Sequence, residues 1–550
     1  MPEYSQKHVL KDEAFVAKVN YTNAELLRKI ELDEPIFLTV LLQAYDKKNA
    51  NGRIYPKDVL TREVQKYQKL IKQNTAIGEL DHPCFDENVD ILTLDGWKPI
   101  VDISEDEVVL TFNMDTKKYE YQHITEKIVE HHVGNMIRLK HKTLNMLVTP
   151  NHKFVLKGRS DSTQKDKYEL IEARELQNNR KKRLIRTESN WDGFHKEVWT
   201  LGDISIPMSD FVAFMGIFLS EGHTSNYTDN GHYTFGISQK KSNNVIKIKE
   251  LLDRLPFNFS YSGNMFTANN KKMWTYLKQF GQAYDKFIPA DLKLLNPNYL
   301  QILFDWLMIG DGTRINTVKN NVNRYYSTSK KLIDDVQEIL FKLGFASSIV
   351  IQKQKDRFIE GRLIKEENSN DIYRLTVYKT NYLHNDKRNL SITEEEYDGK
   401  IYCVTVPNHT IVVRDNQNKS IIISGNSERD IIEYKTASHK INKLWWEGSE
   451  LWGTVEILSG KHFPMANILR GCLLHNIPIG FSSRGLGSEL DMGNDTVQVD
   501  EDFDLIGWDA VTQPSTFGAF AYIAESTQKA RDKYASKMKS INKLIYQILN

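Results

Sequence analysis

Gly78-Glu79-Leu80-Asp81-His82-Pro83-Cys84-Phe85-Asp86 and Ile421-Ile422-Ile423-Ser424-Gly425-Asn426-Ser427-Glu428-Arg429-Asp430 are the two stretches that decide how this chain is built. A cysteine opens the segment between them, an asparagine closes it, and a hydroxyl residue follows at once. A thiol takes an acyl group readily near neutral pH and a serine hydroxyl can receive it. An asparagine amide can cyclise on its own carbonyl and cut the backbone. Removing residues 84–426 joins His82-Pro83 to Ser427-Glu428, which reads as continuous loop sequence. The pattern implies one protein lodged inside another, with chemistry at its ends able to reroute a peptide bond.

The bulk numbers fit several domains. At 550 residues the chain exceeds one core. Lys+Arg 73 against Asp+Glu 72 leaves net +1, so any DNA-binding face must be local. Hydrophobic content of 40% and charge of 26% are those of a globular protein. No apolar run approaches the roughly 20 residues a membrane helix needs, and Met1-Pro2-Glu3-Tyr4 opens no secretory signal, so no membrane partner is expected. Three cysteines, Cys84, Cys403 and Cys472, cannot make a disulfide framework, which suits a reducing cytoplasm.

Texture changes along the chain. Residues 1–83 carry helix-like segments. From Cys84 short strands follow one another, as in Val89-Asp90-Ile91-Leu92-Thr93-Leu94 before the Asp95-Gly96 turn, Glu107 to Phe112 and Met146 to Thr149. Residues 157–206 are polar and partly basic, with Arg180-Lys181-Lys182-Arg183. A repeat then appears at an offset of about 90 residues. Phe214-Met215-Gly216-Ile217-Phe218-Leu219-Ser220-Glu221-Gly222 parallels Phe304-Asp305-Trp306-Leu307-Met308-Ile309-Gly310-Asp311-Gly312, and each copy is followed by strand and helix patterns. Strand texture returns at Lys400 to Val406 and His409 to Arg414. A basic amphipathic helix is expected over about 523–548.

The insert resembles an intein. Four blocks carry the likeness: Cys84 with Asp90 to Trp97, Thr149-Pro150-Asn151-His152, Ile401 to Val406 through Asn408-His409, and Ser424-Gly425-Asn426 before Ser427. The resemblance implies that residues 84–156 and 395–426 pair into one all-β, horseshoe-shaped Hint domain. It also implies the roles. Cys84 attacks the Pro83 carbonyl, Thr149 holds the strained peptide and its oxyanion, and His152 protonates the departing nitrogen. Ser427 takes the acyl group and Asn426 cyclises. Cys403 stands where the family often carries a group coupling the steps. Gly425 replaces the histidine common before the terminal Asn, and His409 is its natural substitute. Proline before Cys84 is expected to slow the first step.

The repeated helices resemble those of LAGLIDADG homing endonucleases, which sit inside inteins. The resemblance implies an α/β domain over 207–394, made of two pseudo-symmetric αββαββα-type halves whose helices pack on a pseudo-twofold axis. Glu221 and Asp311 would then meet at the centre of a double-stranded DNA site and hold Mg²⁺. Lys286, in Asp285-Lys286-Phe287-Ile288-Pro289, sits in a recurrent family position. Lys240, Lys241, Lys330 and Lys331 are expected on flanking strands, where they can neutralise phosphate. Gly216 permits close helix contact; Trp306 takes its place in the second copy, so the packing should be asymmetric. Residues 157–206 are expected as a linker or an added DNA-recognition region.

Residues 1–83 and 427–550 together resemble the prohead maturation protease of T-even-type phages. The matching stretches are Asn51 to Pro56, Gly78 to Pro83, Leu444 to Gly448, Ile479-Gly480-Phe481-Ser482-Ser483-Arg484-Gly485-Leu486-Gly487-Ser488 and Asp509 to Ser515. The resemblance implies a split, mainly-β, assemblin-like host with helices. His82 would be its base, Ser482 its nucleophile, with Ser483 adjacent, and Asp509 the group orienting the imidazole. Arg484 and the backbone at Gly485 and Gly487 would stabilise the oxyanion. Prohead scaffold and capsid proteins would be its substrates, in the cytoplasm of the infected cell and then inside the prohead. Neither splicing nor the protease would need a cofactor. Because the insert parts His82 from Ser482, the intact chain is expected to be a crippled protease. The competing expectations are a free DNA endonuclease with inert β appendages, and a capsid-assembly protein with an inactive insert.

Overall fold

A computed structural model describes residues 16–19, 21–49, 52–79, 83–158, 167–225, 232–316, 321–353, 357–359, 362–364, 370–378, 380–426, 437–460, 462–475, 477, 479–487, 489–493, 496–511 and 520–523. Two units emerge, one from residues 1–82, 130–132 and 428–550, the other from 83–129 and 133–427.

The first unit is built on one eight-stranded sheet. Its order is Asp504–Val511, Ile479–Leu486, Phe520–Ile523, Val16–Val19, Ile36–Ala44, Glu450–Ile457, Ala437–Glu447, Ile77–Glu79. The end strands Asp504–Val511 and Ile77–Glu79 approach each other, and from the neighbouring strand His439 Nε2 lies 2.9 Å from the Trp508 carbonyl. A methyl placed on Gly78 would come within 2.2 Å of that same oxygen, so only glycine lets the strands meet. Helix Lys57–Lys72 buries Val59, Leu60, Val64 and Tyr67 on one face. Tyr67 meets Trp508 edge-on at 4.9 Å.

The two host segments pair with each other, while His82, on which the expectation of a crippled protease turns, lies outside the described residues. Strands from before residue 83 and after residue 427 already pair: Ile36–Ala44 with Glu450–Ile457, Val16–Val19 with Phe520–Ile523, and Ile77–Glu79 with Ala437–Glu447. The insertion does not keep the host segments apart, because it lies in the loop of a strand pair in which Glu79 faces Ala437. The helix expected at 523–548 falls almost wholly outside the described residues.

In the second unit, strands from both ends of the insert interleave. The main sheet runs Tyr382–His384, Arg183–Ile185, Lys153–Lys157, Ile421–Gly425, Thr410–Asp415, Val89–Thr93, Val108–Asn113, Lys118–His123. Tyr168–Glu172 adds to Lys153–Lys157, and Gly96–Pro99 to Val89–Thr93. A second sheet joins Leu144–Val148, Glu126–His141 and Ser391–Thr405. The expected linker 157–206 therefore supplies two strands here, and Tyr382–His384 comes from within 207–394. The basic run is engaged locally: Arg183 donates to the Gly158 carbonyl and covers the Tyr382 ring, Lys182 pairs with Glu169, and Arg180 donates to the Leu390 carbonyl.

The repeats form two sheets of one topology. Helix Met208–Glu221 leads into the order Gly222–Thr224, Thr234–Ser238, Met265–Asn269, Ser260–Ser262. Helix Pro297–Gly310 leads into Gly312–Asn316, Asn321–Ser327, Ile372–Tyr378, Ala346–Gln352. The first copy ends in a third helix, Lys271–Lys278. The second passes from Ile372–Tyr378 to Tyr382–His384 and so back into the main sheet. Lys240 and Lys241 precede helix Ser242–Leu252, and Lys330 and Lys331 open helix Lys330–Lys342, rather than lying on strands.

The main sheet is buried on both faces, and alternation sorts its side chains. Ile91, Val109, Ile411, Val413 and Ile422 enter the core that holds Cys84. Leu92, Leu110, Phe112, Val412, Ile421 and Ile423 enter the core shared with the repeat helices. A buried ionic cluster joins sheet to helix Lys330–Lys342. Arg414 Nε lies 2.9 Å from Asp90, and its Nη1 lies 2.7 Å from both Asp334 and Gln337. Nearby, buried Lys293 meets Asp335 at 3.0 Å and Glu338 at 2.7 Å, and Lys342 meets Glu338 at 2.7 Å.

Candidate active sites

The ends of the insert converge. Cys84 is fully buried, and its amide donates to Thr149 Oγ1 at 2.9 Å, while the Thr149 amide donates back to the Cys84 carbonyl at 3.0 Å. Phe85 bridges Val148 and Tyr402, which lays the first insert residues between strands from both halves. His152 is buried between Phe85, at 4.1 Å between ring centroids, and Phe154, at 5.2 Å. Burial drives its pKa down to about 3, and the Pro83 carbonyl pulls it back up only in part. The ring is therefore neutral at rest. As a general acid, His152 would first have to take a proton.

At the other end, Asn426 donates from Nδ2 to the Val406 carbonyl at 2.9 Å and from its amide to the His409 carbonyl at 3.2 Å. His409 is half-buried, with φ 55°, and its Nδ1 is buried without a hydrogen-bond partner. A methyl on Gly425 would meet Lys153 Cβ at 3.0 Å and its carbonyl at 3.1 Å, so a penultimate histidine would require Lys153 to give by a few tenths of an ångström. Cys403 is buried in the core that holds Cys84, its Sγ 3.6 Å from the Val404 carbonyl. Ser427 lies outside the described residues. One contact that the motifs gave no sign of joins the two ends: His152 Nε2 lies 2.7 Å from Ser424 Oγ.

The two acidic helices meet face to face. A Cβ on Gly216 would lie 2.7 Å from the Leu303 carbonyl and 2.7 Å from Trp306 Cβ, and one on Gly310 would lie 2.3 Å from Ser220 Cβ. The packing is asymmetric as expected, with each close approach made by glycine on one side only. At the helix ends, burial and the Glu221 charge push Asp311 up to about 7, with Lys241 opposing. Burial also raises Glu221, against Lys241 and Gln239. Two desolvated carboxylates that repel one another suit a hard divalent cation. Among the described residues no cluster of three or more metal-ligating side chains occurs, so water and phosphate oxygens would complete the shell. Lys286 is buried beside them. Its Nζ donates to the Gly222 carbonyl at 3.1 Å and lies 4.2 Å from the Phe218 ring centroid, and burial lowers its pKa to about 8. Lys330 and Lys331 are held by Asp334 and Asp335 at 3.0 and 3.2 Å.

In the first unit Ser482 and Asp509 face each other on paired strands. The Asp509 carboxylate is taken by Arg484, whose Nε lies 2.6 Å from Oδ2. Arg484 and Asp509 thus form an ion pair, a contact the sequence expectation for these two residues did not include. Gly485 and Gly487 make room for Phe503, which a Cβ would approach to 2.4 and 2.7 Å. His82 lies outside the described residues. His439, which the sequence reading passed over, is buried with Nδ1 2.9 Å from Ser438 Oγ.

Comparison with known proteins matches these segments. Residues 410–530 match the family model described as prohead core protein serine protease, and residues 302–388 that of a LAGLIDADG-like domain, the families the sequence resembles there. A Clp protease proteolytic subunit of Chlamydomonas moewusii is 25% identical over 49% of this chain and 28% of its own. A ribonucleoside-diphosphate reductase subunit beta of Aquifex aeolicus is 25% identical over 70% of this chain and 55% of its own. The prohead core protein protease of Enterobacteria phage T4 is 32% identical over 19% of this chain and 53% of its own. The chain thus spans between 28% and 55% of the length of these relatives. A solved splice-inactive split intein is similar over 63% of this chain and 99% of its own, at 9% identity and TM-score 0.22.

Proposed function

We propose that this chain, a prohead-protease-like host interrupted by an intein-like insert with LAGLIDADG repeats, is a precursor that excises residues 84–426 and ligates residues 1–83 to 427–550. The observation that carries the reading is the meeting of the insert's ends: Cys84 on Thr149, and His152 on the strand that leads to Asn426. The relatives lend support: a Clp protease subunit and a reductase subunit share no activity yet match 49% and 70% of this chain, so the matched stretches overlap, and a segment common to unrelated chains is what a mobile insert predicts.

The chemistry follows from the residues. Cys84 Sγ attacks the Pro83 carbonyl carbon, the thiol proton passes to neutral His152, and the ring returns it to the Cys84 nitrogen as the C–N bond breaks. Thr149, bonded to that amide, holds the peptide in place. Ser427 then takes the acyl group from sulfur. Asn426 is held by the Val406 and His409 carbonyls, its Nδ2 attacks its own backbone carbonyl carbon as the bond to the Ser427 nitrogen breaks, and the resulting cyclisation releases the insert. The remaining ester at Ser427 reverts to an amide because the freed amine is its near neighbour. Mass analysis of freshly expressed chain tests this: a ligated 1–83/427–550 product and a free 84–426 insert are expected. An unchanged 550-residue mass over days would sink the reading.

The repeats read as a site-specific double-strand DNA endonuclease. Glu221 and Asp311 would hold the Mg²⁺, which supplies charge stabilisation at the scissile phosphates when bound. Lys286, part neutral near pH 8, is placed to polarise water or neutralise phosphate. The ligated host reads as a serine peptidase acting on prohead proteins, with His82 as base and Ser482 as nucleophile. Peptidase assay of the ligated product with Ser482→Ala as control tests that part.

A further inference from the structure

We infer that Ser424 is a positioning residue for the first acyl transfer, fixing the tautomer of His152 from the opposite end of the insert. The inference rests on the splicing reading. Ser424 lies on the strand Ile421–Gly425, opposite Phe154 in the strand that follows His152. Its Oγ donates to the Lys153 carbonyl at 3.2 Å and lies 2.7 Å from His152 Nε2. A hydroxyl has one proton. With that proton on Lys153 O, Oγ can only accept from the ring, so Nε2 carries the hydrogen and Nδ1 the lone pair. Nδ1 is buried with no hydrogen-bond partner among the described residues. Thr149 ties this ring to the scissile peptide, taking the Cys84 amide on Oγ1 at 2.9 Å and the His152 amide on its carbonyl at 3.0 Å, and with Nε2 held by Ser424, Nδ1 is the ring nitrogen left to serve Cys84.

The step balances with this arrangement. As the bond from Cys84 Sγ to the Pro83 carbonyl carbon forms, the thiol proton moves to Nδ1. The imidazolium keeps Nε2–H on Ser424. As the C–N bond breaks, Nδ1–H passes to the Cys84 nitrogen, leaving a thioester, a free amine and a neutral ring. The opposite tautomer would point N–H at the thiol and could not accept its proton. A carboxylate commonly performs such orientation. A neutral hydroxyl does so here without burying a charge between Phe85 and Phe154, where the cost of an unpaired ion is severe.

The test uses the full chain and separates the two cleavages. Thiolysis by dithiothreitol at residue 84 reads the first step, and release of 427–550 from a Cys84→Ala background reads Asn426 cyclisation. Ser424→Ala should slow thiolysis by about tenfold or more, part of the roughly 10²–10⁴ that a general acid–base contributes. Cyclisation should stay within about twofold, and Ser424→Thr should restore thiolysis. In a His152→Ala background Ser424→Ala should cost nothing further. Unchanged thiolysis in Ser424→Ala, additive losses with His152→Ala, or equal loss of both cleavages in the Ala and Thr variants would each overturn the inference. Absence of any thiolysis or splicing in the parent chain would instead overturn the splicing reading.

Discussion

His152 and Asp311 are each pushed by burial toward the neutral form, with opposite consequences for pH. For His152 the folded pKa lies near 3, below the ordinary value of 6.5, so the unfolded chain binds the proton first. Stability due to this group is present above about pH 6.5 and is lost as pH falls toward 3. Thiolysis at residue 84 should accordingly show no histidine titration between about pH 6 and 8, only the rising limb of the thiol. A break near pH 6.5 in that profile would contradict a buried neutral ring. For Asp311 the folded pKa is raised to about 7 from 3.8. Here the fold favours the protonated acid, so the metal-free chain gains stability as pH falls from about 7 toward 4. Asp311→Asn should raise the melting temperature of metal-free chain at pH 8, by the equivalent of about 1–3 kcal/mol. Mg²⁺ should stabilise the parent at pH 8, lose that effect by pH 5.5, and leave the Asn variant unmoved; calorimetry with and without Mg²⁺ checks all three.

At the scale of elements, close approach decides where the acidic helices sit. Gly216→Val would force the helix pair apart against the Leu303 backbone, a shift that costs about 1–3 kcal/mol in a packed core. The variant should therefore lose DNA cleavage while retaining splicing, measured on one preparation. Much of this level was legible in the sequence. The Phe214 to Gly222 and Phe304 to Gly312 repeat gave both helices, their acids and the odd pairing of Gly216 with Trp306, because glycine and helical period leave a local mark. Cys84, Thr149, His152 and Asn426 were singled out through the intein-like blocks that hold them, and Thr149 bonds to both Cys84 and His152 in the structure. What stayed hidden depends on contacts distant in sequence. Nothing around Ser424 announces a partner 272 positions away. Tyr168–Glu172 and Arg183–Ile185 are too short and polar to stand out from a linker until they pair. The Arg484–Asp509 pair is likewise a matter of strand register, which alternation alone does not specify.

On the scale of the whole molecule, the insert occupies the loop of a host strand pair, where Glu79 faces Ala437. Long insertions in such loops cost little, since closure entropy grows slowly with length. The unspliceable Cys84→Ala/Asn426→Ala chain should thus show the same slow amide exchange in Ile36–Ala44 and Glu450–Ile457 as the ligated product. Loss of that protection would mean the host folds only after excision. The insert itself is less forgiving. The outward residues of the splicing sheet, Leu92, Phe112, Val412, Ile421 and Ile423, share one core with the repeat helices, and Arg414 finds Asp334 there. Replacing residues 194–380 by a short linker should give an insoluble or non-splicing chain, and solubility should return when those residues are made polar. A nuclease that had stopped cutting DNA could still not be shed by a single deletion. Any lineage that lost the repeats would first have to rebuild that wall, and so folding itself favours keeping the repeat domain whether or not its proposed activity is used.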